Sequence, residues 1–433
     1  MTKDINEREV ALAILLEVEK GEKSHLVLRQ VLEKYQYISK QERSFLTRLV
    51  EGTIERRIEL DYIINQFSKV KINKMKPVIR NIMRMAVYQI KYMDAVPNSA
   101  ACNEAVNLAV RKGFKNLRGF VNGVVRNIER NIDTVNYPDT KDVKKYFSVV
   151  HSMPEWIVEM WIKDYGVEQT TSILESFYLE RPTTIRVDET KTTVEELCKN
   201  LREAGVTVEK HPAIESALMI SSYDYLGALE SFRNGEFQVQ DASSIQVAES
   251  ADIKEGDYVI DVCAAPGGKA LHAAQLLNGT GHVEARDLTL YKVGLIENNI
   301  ERMGFANVEA RQWDALVMDE ESREKADVVI ADLPCSGLGV MAKKTDLRYK
   351  MTKEMEEELA VLQRDILSVV HNYVKPGGTL IYSTCTICKN ENEENARWFG
   401  ETFPEFEMEW GKQIFPSRET DGFYIAKFKR REK

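Results

Sequence analysis

The sequence lacks any apolar run that approaches the roughly 18 residues needed to cross a membrane. It contains only six cysteines in 433 residues, and their spacing forms no disulfide framework, which favours a reducing compartment. Acidic residues throughout residues 1–18 and the absence of a small-residue cleavage site argue against a secretory signal. We therefore expect a cytoplasmic protein with no membrane partner, and we predict no bound metal.

The composition is that of a folded protein, with 43% hydrophobic and 29% charged residues. A chain of 433 residues is too long for one ordinary core, so two or three domains are expected. The net charge of −9 is unevenly distributed. Residues 1–130 hold 24 lysines and arginines against 15 acidic residues, a balance of +9, which leaves −18 for the remainder. A basic N-terminal third favours binding to a nucleic acid, but such a surplus is equally typical of an ordinary solvated surface.

Apolar spacing predicts an all-helical N-terminal part, for which we place the boundary at residues 1–135. The predicted core-facing positions are Val10, Ala13, Ile14 and Val18; Phe45, Leu49 and Val50; and Ile79, Ile82, Met83 and Ala86. Pro77 and Pro97 fall between these segments, where a helix must begin or end.

The pattern changes after a polar connector near residue 137. Residues 150–232 predict a small α/β unit, with these elements: a strand at 183–187, a helix at 194–204 and further strands at 206–210 and 217–221. From residue 233 to 433, strands and helices alternate, which predicts a doubly wound parallel sheet with helices on both faces.

A small-residue turn joins the first strand of this last part to a helix. Residues 257–269 run from an apolar strand into Cys-Ala-Ala-Pro-Gly-Gly-Lys, and residues 270–277 follow at helical spacing. Glycines there let the backbone approach a ligand and leave N–H groups free at the helix start. The turn is neither a P-loop nor a Gly-x-Gly-x-x-Gly fingerprint, and such turns also occur where a helix merely packs on a sheet.

Acidic residues follow the next three predicted strands, at 281–285, 308–311 and 327–331. These residues are Asp287, Asp314 and Asp332. Ligands bind in doubly wound sheets at the carboxyl ends of the strands, and a carboxylate at the end of the second strand can hold a ribose. One such aspartate could be a turn residue, but three together favour a nucleoside cofactor.

Two cysteines follow strands that should be neighbours. Cys335 comes after the fourth strand, and Cys385 comes after a fifth strand at 379–383. Adjacent strands lie about 4.8 Å apart, so both thiols could reach one bound base. Cysteine is more often a small buried hydrophobe, but the position of both in turns at the ligand edge favours catalysis.

Three motifs here resemble those of the RNA cytosine-5 methyltransferases of the Nol/Nop/Sun family. They are Cys-Ala-Ala-Pro-Gly-Gly-Lys at 263–269, Asp-Leu-Pro-Cys-Ser-Gly at 332–337 and Ser-Thr-Cys-Thr at 383–386. Residues 235–243 resemble the segment that precedes the core in that family. The segments at 49–53 and 60–64 are similar to NusB-like RNA-binding domains, and this layout is that of the bacterial ribosomal RNA enzymes of the family. Residues 343–348 depart from the family pattern by lacking a proline.

The resemblance implies a fold and a cofactor. The fold is a Rossmann-like methyltransferase domain at 233–433, preceded by a NusB-like helical bundle and a small RRM-like α/β subdomain. The cofactor is S-adenosyl-L-methionine, and the residues implied to surround its methionine part are Cys263, Ala264, Ala265, Pro266, Gly267, Gly268 and Lys269. Asp287 would hold the ribose, Asp314 would lie near the adenine, and Asp332 is also assigned to the cofactor-binding residues.

The resemblance also implies a catalytic set. Cys385 would be the nucleophile that adds to carbon 6 of a cytosine, and Cys335 would help to release the product. Asp332 would hydrogen-bond the cytosine. Apart from the resemblance, the attack requires a thiolate, and we expect the positive charges of Lys269 and of the cofactor to lower the pKa of the attacking thiol. The expected substrate is small-subunit ribosomal RNA, free or partly assembled.

Three alternatives remain at this stage. The same chemistry could act on transfer RNA or another RNA, or the chain could be a non-catalytic RNA-binding or assembly factor. Two cysteines and three acidic strand ends speak against the second alternative. A DNA cytosine methyltransferase is disfavoured. Those enzymes use the cysteine of the Pro-Cys turn, and this would leave Cys385 unexplained.

Overall fold

The N-terminal third is helical, as its apolar spacing predicts. The computed structural model describes residues 6–35 and 37–432. Its first helices are α1 (Glu7–Glu19), α2 (Ser24–Lys34), α3 (Lys40–Glu55), α4 (Arg57–Phe67), α5 (Pro77–Tyr92), α6 (Asn98–Arg111), α7 (Arg118–Asn131), α8 (Val143–Val150) and α9 (Glu155–Ser176). Pro77 opens α5 and Pro97 is the residue before α6, as expected from the backbone N–H that proline lacks.

Most of the predicted core positions are buried, and one is wrong. The four residues chosen on α5, Ile79, Ile82, Met83 and Ala86, are all buried. On α1, however, Ala13 is exposed, and the buried residues are Ala11, Leu12, Ile14 and Leu15. Residues 10–16 are apolar without interruption, so spacing alone could not define which face of this helix meets the core.

A four-stranded antiparallel sheet follows the helical part. Its elements are β1 (Thr183–Val187), α10 (Val194–Glu203), β2 (Thr207–Lys210), β3 (Ala217–Ser221), α11 (Glu230–Arg233) and β4 (Phe237–Val239). The strand order is β2-β3-β1-β4, and the β-α-β-β-α-β succession gives a ferredoxin-like topology. The three-residue strand β4 was not predicted from the sequence.

A seven-stranded sheet with flanking helices forms the rest. Its elements are α12 (Ala242–Glu249), β5 (Tyr258–Asp261), α13 (Gly268–Leu276), β6 (His282–Asp287), α14 (Leu290–Met303), β7 (Val308–Gln312), β8 (Ala326–Asp332), α15 (Leu347–Lys350), α16 (Lys353–Val370), β9 (Val374–Thr384), α17 (Glu393–Thr402), β10 (Phe406–Ile414) and β11 (Phe423–Arg430). The strand order is β10-β11-β9-β8-β5-β6-β7. Strands β5 to β9 are parallel, as predicted.

The sheet differs from the prediction at one edge. Strands β10 and β11 form a hairpin that runs antiparallel to β9, so the sheet is mixed rather than wholly parallel. Only eight residues separate β10 from β11, and a link this short permits antiparallel pairing but no crossover. From β5 the sheet is built outwards in one direction through β6 and β7, and from β8 it is built in the opposite direction through β9. The carboxyl ends of β5 and β8 therefore flank the crevice where such sheets bind ligands.

The chain divides into two compact units. The first contains Met1–Leu174 and Met341–Lys350, and the second contains Glu175–Val340 and Met351–Lys433. Within the first unit, the Ser24 backbone N–H donates to the Asp346 carboxylate at 3.1 Å, and the Tyr349 hydroxyl donates to the Glu55 carbonyl at 3.0 Å. Across residues 6–35 and 37–432, no helix combines the length and apolar character that a membrane span requires.

Candidate active site at the carboxyl edge of the seven-stranded sheet

The small-residue turn lies directly after β5 and opens α13. The Ala264 N–H donates to the Arg286 carbonyl at 2.8 Å, and the Gly267 N–H donates to the Ala264 carbonyl at 2.7 Å. Gly267 has φ 106°, a conformation that side chains with a Cβ rarely adopt. The turn formed by Cys263, Ala264, Ala265, Pro266 and Gly267 is therefore held against the end of β6.

Asp287 fastens this turn to the second parallel strand. Its carboxylate accepts hydrogen bonds from the Ala265 N–H at 3.1 Å and the Leu288 N–H at 2.7 Å. The Lys292 ammonium lies 3.0 Å from the same carboxylate, whose side chain is only 3% exposed. Backbone donors and a lysine thus hold the nearly buried Asp287 side chain in place.

Asp314 lies in the loop after β7 and is half-buried. Its carboxylate accepts a hydrogen bond from the Leu316 N–H at 3.0 Å. The neighbouring Trp313 N–H donates to the Asp287 carbonyl at 3.0 Å. The structure therefore brings the loop that carries Asp314 against the end of β6.

Asp332 ends β8 and is paired on both oxygens. The Lys269 ammonium lies 2.6 Å from Oδ2, and the Ser383 hydroxyl donates to Oδ1 at 2.8 Å. Burial acts to lower the pKa of Lys269, but the Asp332 and Asp261 carboxylates outweigh it, so its pKa is raised. Lys269 therefore remains a buried cation that links the turn after β5 to the end of β8.

Asp261 is a site residue that the sequence-based prediction missed. It ends β5, is fully buried, and accepts a hydrogen bond from the Cys263 N–H at 3.4 Å. Its Oδ2 atom is buried and has no hydrogen-bond partner among the described residues. Burial raises the pKa of Asp261 to about 7 against the opposing effect of Lys269, and the negative charge of Asp332 adds to the rise. Its position at a strand end is the same signal that identified Asp287 and Asp332.

The two predicted catalytic thiols lie side by side. The Sγ atoms of Cys335 and Cys385 are 3.2 Å apart, and neither is in a disulfide bond. This proximity follows from the register of the sheet, in which Asp332 of β8 pairs with Ser383 of β9. The hydrogen bond with Cys385 and burial together raise the pKa of the Cys335 thiol well above its usual range.

A buried network, also missed from the sequence, joins the two cysteine-bearing turns. The Glu391 carboxylate accepts hydrogen bonds from both the N–H, at 2.8 Å, and the hydroxyl of Ser336. The Ser336 hydroxyl lies 2.7 Å from that of Thr386, and Gln363 donates to both Glu391 and the Pro334 carbonyl. Residues that directly follow Cys335 and Cys385 are thus bonded to each other behind the thiols.

Close backbone packing also fixes these turns. The Gly339 N–H donates to the Cys385 carbonyl at 3.1 Å, and the Gly422 N–H donates to the Gly339 carbonyl at 2.9 Å. A Cβ added to Gly339 would lie 1.9 Å from the Gly422 carbonyl oxygen, so only glycine fits there. The backbone after Cys335 is therefore held between the end of β9 and the start of β11.

Glu356, Cys388 and Glu391 form one further buried group whose ligand-type atoms lie within 4.8 Å of one another. Burial raises the pKa of the Cys388 thiol well above its usual range, which keeps it protonated. Both Glu391 oxygens accept hydrogen bonds from Ser336. Hydrogen bonding from Ser336 therefore explains why Glu391 lies in this group.

The residues around the turn after β5 fit a cationic nucleoside cofactor. Three carboxylates, Asp261, Asp287 and Asp332, act together to raise the pKa of Cys263, after the larger effect of burial. Among the described residues, the lysines that pair with these carboxylates are Lys269 and Lys292. The Oδ2 atom of Asp261 is buried and unpaired, and a bound cation would stabilise the ionised form of this carboxyl group.

Comparison with known proteins identifies each part of the chain. Residues 249–429 match the family described as 16S rRNA methyltransferase RsmB/F, residues 5–130 match the NusB family, and residues 153–224 match the RsmF/B-like ferredoxin-like domain. The chain is 34% identical to the probable ribosomal RNA small subunit methyltransferase B of Bacillus subtilis, over 98% of both proteins. It is 28% identical to ribosomal RNA small subunit methyltransferase B of Klebsiella pneumoniae, over the whole of both.

Solved structures agree with these sequence comparisons. The crystal structure of PH0851 superposes with a TM-score of 0.83 at 26% identity, over 99% of each chain. A methyltransferase homologue from Pyrococcus horikoshii superposes on 67% of this chain and 99% of its own, with a TM-score of 0.59 at 25% identity. The identity to the Bacillus subtilis protein, carried over nearly the full length, shows the family. The chain belongs to the RsmB/F family of S-adenosyl-L-methionine-dependent 16S ribosomal RNA methyltransferases.

Proposed function

We propose that this protein methylates carbon 5 of a cytosine in 16S ribosomal RNA, through a covalent bond between Cys385 and carbon 6 of the base. The observation that carries the proposal is the 3.2 Å separation of the Cys335 and Cys385 sulfurs at the carboxyl ends of β8 and β9. Two thiols at this edge supply the two functions that cytosine-5 methylation requires, a nucleophile and a base.

Carbon 5 of cytosine is a poor nucleophile, which explains the need for covalent catalysis. Attack of the Cys385 thiolate on carbon 6 forms a carbon–sulfur bond and moves electron density to carbon 5, which then accepts the methyl group. Removal of the carbon-5 proton and cleavage of the bond to Cys385 restore the aromatic ring. Splitting the reaction in this way is the usual benefit of a cysteine nucleophile.

The pKa of Cys335 supports this division of roles. The hydrogen bond with Cys385 is the largest cause of the rise in the pKa of Cys335, and burial is the second, which favours the protonated form of Cys335 before the reaction begins. Once the Cys385 sulfur is bonded to carbon 6, it can no longer act as the thiolate partner of Cys335, and the largest cause of the raised pKa is removed. Cys335 then releases its proton to solvent and takes the carbon-5 proton as its thiolate, while cleavage of the carbon–sulfur bond returns Cys385 as a thiolate.

The remaining site residues hold the reactants. Asp332, fixed by Lys269 and Ser383, hydrogen-bonds the cytosine ring. Bound S-adenosyl-L-methionine supplies the methyl group. The turn from Cys263 to Lys269 surrounds its methionine part, Asp287 binds the ribose hydroxyls, and Asp314 lies beside the adenine.

The target cytosine must leave any stack or pair to reach the two thiols. This step costs a few kcal/mol, and less in a loop or bulge, which favours free or partly assembled small-subunit RNA as the substrate. The basic surplus in residues 1–130 suits this polyanion. Because the proposed substrate is ribosomal RNA, we expect the enzyme to act in the cytoplasm.

Nucleoside analysis tests this proposal. The full-length protein is incubated with methyl-tritiated cofactor and either transcribed 16S ribosomal RNA or transfer RNA, and the digested nucleosides are separated. We expect label in 5-methylcytidine from the ribosomal RNA, and no label with Cys385→Ser. The matched variant Cys198→Ala, which changes a buried cysteine of α10, should retain the activity. Label in another nucleoside, or in transfer RNA alone, would refute the proposed specificity.

A further inference from the structure

A cavity of about 200 Å³ lies within the first unit. Its lining includes Thr53 of α3, Arg57 of α4, Arg84 of α5 and Tyr349 of α15, all residues of that unit. A water molecule occupies about 30 Å³ of liquid, so the cavity has room for a phosphate group. None of these residues belongs to the site around Cys385.

Arg57 faces this cavity and, among the described residues, has no anion in direct contact with its guanidinium. The centre of its guanidinium lies 3.7 Å from the centroid of the Tyr349 ring. Among the described residues, no hydrogen bond or ion pair satisfies its five donors. Burial is the largest cause of the lowered pKa of Arg57, and Arg84 contributes to the same effect, while Tyr349 and the Asp61 carboxylate oppose it only in part. A bound anion would remove this penalty on the charged form.

Thr53 presents a second unsatisfied group to the same cavity. Its side chain is 1% exposed, and its hydroxyl has no hydrogen-bond partner among the described residues. Buried hydroxyls normally have a partner, because an unpaired one costs about 1–3 kcal/mol. A hydroxyl donor beside an arginine is suited to an oxyanion.

The other charged groups of the cavity are already paired. Arg84 forms a bidentate contact with Asp61 at 2.6 and 2.7 Å. Lys350 lies 2.8 Å from Asp346, and Glu19 pairs with Arg80. Among the described residues that line the cavity, Arg57 is therefore the cation that forms no ion pair.

We propose that this cavity binds a phosphate group of the RNA backbone, held by Arg57 and Thr53. The choice of RNA as the source of this phosphate rests on the proposed function. The lysines and arginines that exceed the acidic residues by nine in residues 1–130 would bring the RNA to this unit. Phosphate contacts of this kind position a nucleic acid without reading its sequence.

Binding of transcribed 16S ribosomal RNA to the full-length protein tests the RNA source. Arg57→Gln should weaken binding about tenfold at low salt, equivalent to about 1.4 kcal/mol, and reduce the slope of log affinity against log salt by about one. Thr53→Val, which keeps the shape and removes the hydroxyl, should weaken binding in the same direction. The matched control Arg29→Gln removes an exposed arginine of the same unit that pairs with Glu33, and its effect should be smaller.

Thermal unfolding with inorganic phosphate tests the cavity itself. Phosphate should raise the unfolding temperature of the wild type above that in chloride of equal ionic strength, because a ligand stabilises the state that binds it. Arg57→Gln should lose this increment. Thr53→Val should show a smaller rise in unfolding temperature with phosphate. This second variant keeps the test valid if Arg57→Gln folds poorly.

Three results would overturn the proposal. Equal effects of Arg57→Gln and Arg29→Gln on RNA binding would mean that the cavity makes no specific contact. Stabilisation by phosphate with unchanged RNA binding would make free phosphate the only ligand. Unchanged RNA binding by a folded Thr53→Val variant would remove the hydroxyl from the site. The binding and unfolding experiments do not measure which base is methylated. Failure of the cavity proposal can therefore be distinguished from failure of the proposed cytosine-5 chemistry.

Discussion

Asp261 shows how burial tunes a single carboxyl group of the cofactor site. Its pKa is raised to about 7, first by burial, so below pH 7 the group is largely protonated in the cofactor-free protein. A cationic cofactor prefers the ionised form, and binding therefore becomes weaker as the pH falls. Affinity for S-adenosyl-L-methionine should decline by up to about tenfold per pH unit below pH 7 and level off above it.

Calorimetric titration between pH 5.5 and 8 measures this dependence. Asp261→Asn should bind the cofactor more weakly and with little change across the range, because the titrating group is gone. Asp365→Asn, which changes an exposed aspartate of α16, should retain the wild-type profile. A flat profile for the wild type would show that Asp261 does not titrate with cofactor binding.

At the scale of residues, the sequence predicted the groups that carry recognisable motifs and missed their partners. Lys269, Asp332, Cys335 and Cys385 lie together, as the expected order of parallel strands required. Ser383 and Glu391 were not predicted, because their importance depends on contacts across β8 and β9 that only the sheet register defines. The roles assigned to these residues stay predictions.

At the scale of elements, the turns after β8 and β9 behave as one structural unit through Glu391. Glu391→Gln would replace one acceptor oxygen by a donor, so one of the two hydrogen bonds from Ser336 would be lost. We expect the free energy of unfolding to fall by about 1–3 kcal/mol. We also expect kcat to fall while KM for RNA and cofactor stays nearly constant, since Glu391 positions Cys335 without contacting either substrate.

Denaturant unfolding and steady-state kinetics provide the two measurements. Glu394→Gln, an exposed glutamate on α17, is the matched control and should change neither quantity. Wild-type stability and kcat in Glu391→Gln would mean that the network does not position the thiols.

The elements that were predicted and those that were missed differ in a physical way. Strands β1 and β3 have the predicted limits. Strand β1 is rich in β-branched residues and lies between Pro182 and Asp188, and β3 is mostly apolar and lies between Ser216 and Ser222. Strand β10 was missed because a register shift between Met408 and Trp410 breaks its alternation and most of its side chains are exposed. Strand β4 has only three residues, too few for a periodic signal.

At the scale of the whole molecule, charge is divided between a basic N-terminal part and an acidic remainder. Four exposed lysines lie between α4 and α5 in the basic part: Lys69, Lys71, Lys74 and Lys76. If they neutralise phosphates, replacing all four by glutamine should weaken RNA binding and reduce its salt slope by about 3, at about 0.7 per phosphate of single-stranded RNA.

Filter binding over a range of salt concentrations measures this slope. The control replaces four exposed lysines from the acidic remainder, namely Lys199, Lys254, Lys353 and Lys412. This control variant lowers the net charge by the same amount, and it should have a much smaller effect on the salt slope of RNA binding. Equal slopes for the two quadruple variants would show that the basic part has no special share in RNA binding.

Domain limits illustrate what composition can and cannot predict. The change from helical to mixed spacing near residue 150 is visible in the sequence, but residues 341–350 group with Met1–Leu174 although the chain places them between β8 and β9. Such an excursion leaves no local signal, because it depends on contacts such as that of Asp346 with Ser24. The limits 1–135, 150–232 and 233–433 stay predictions.

The division of labour between the two thiols is tested most directly by trapping the covalent intermediate. With Cys335→Ala, methyl transfer should proceed but the carbon-5 proton should remain, so the protein stays bonded to carbon 6 of a methylated cytosine. Denaturing electrophoresis should then show a slow band that ribonuclease converts to the size of the protein. Cys385→Ala and the double variant should give no such band. A band from Cys385→Ala but not from Cys335→Ala would reverse the roles, and full activity of both single variants without any band would contradict covalent catalysis altogether.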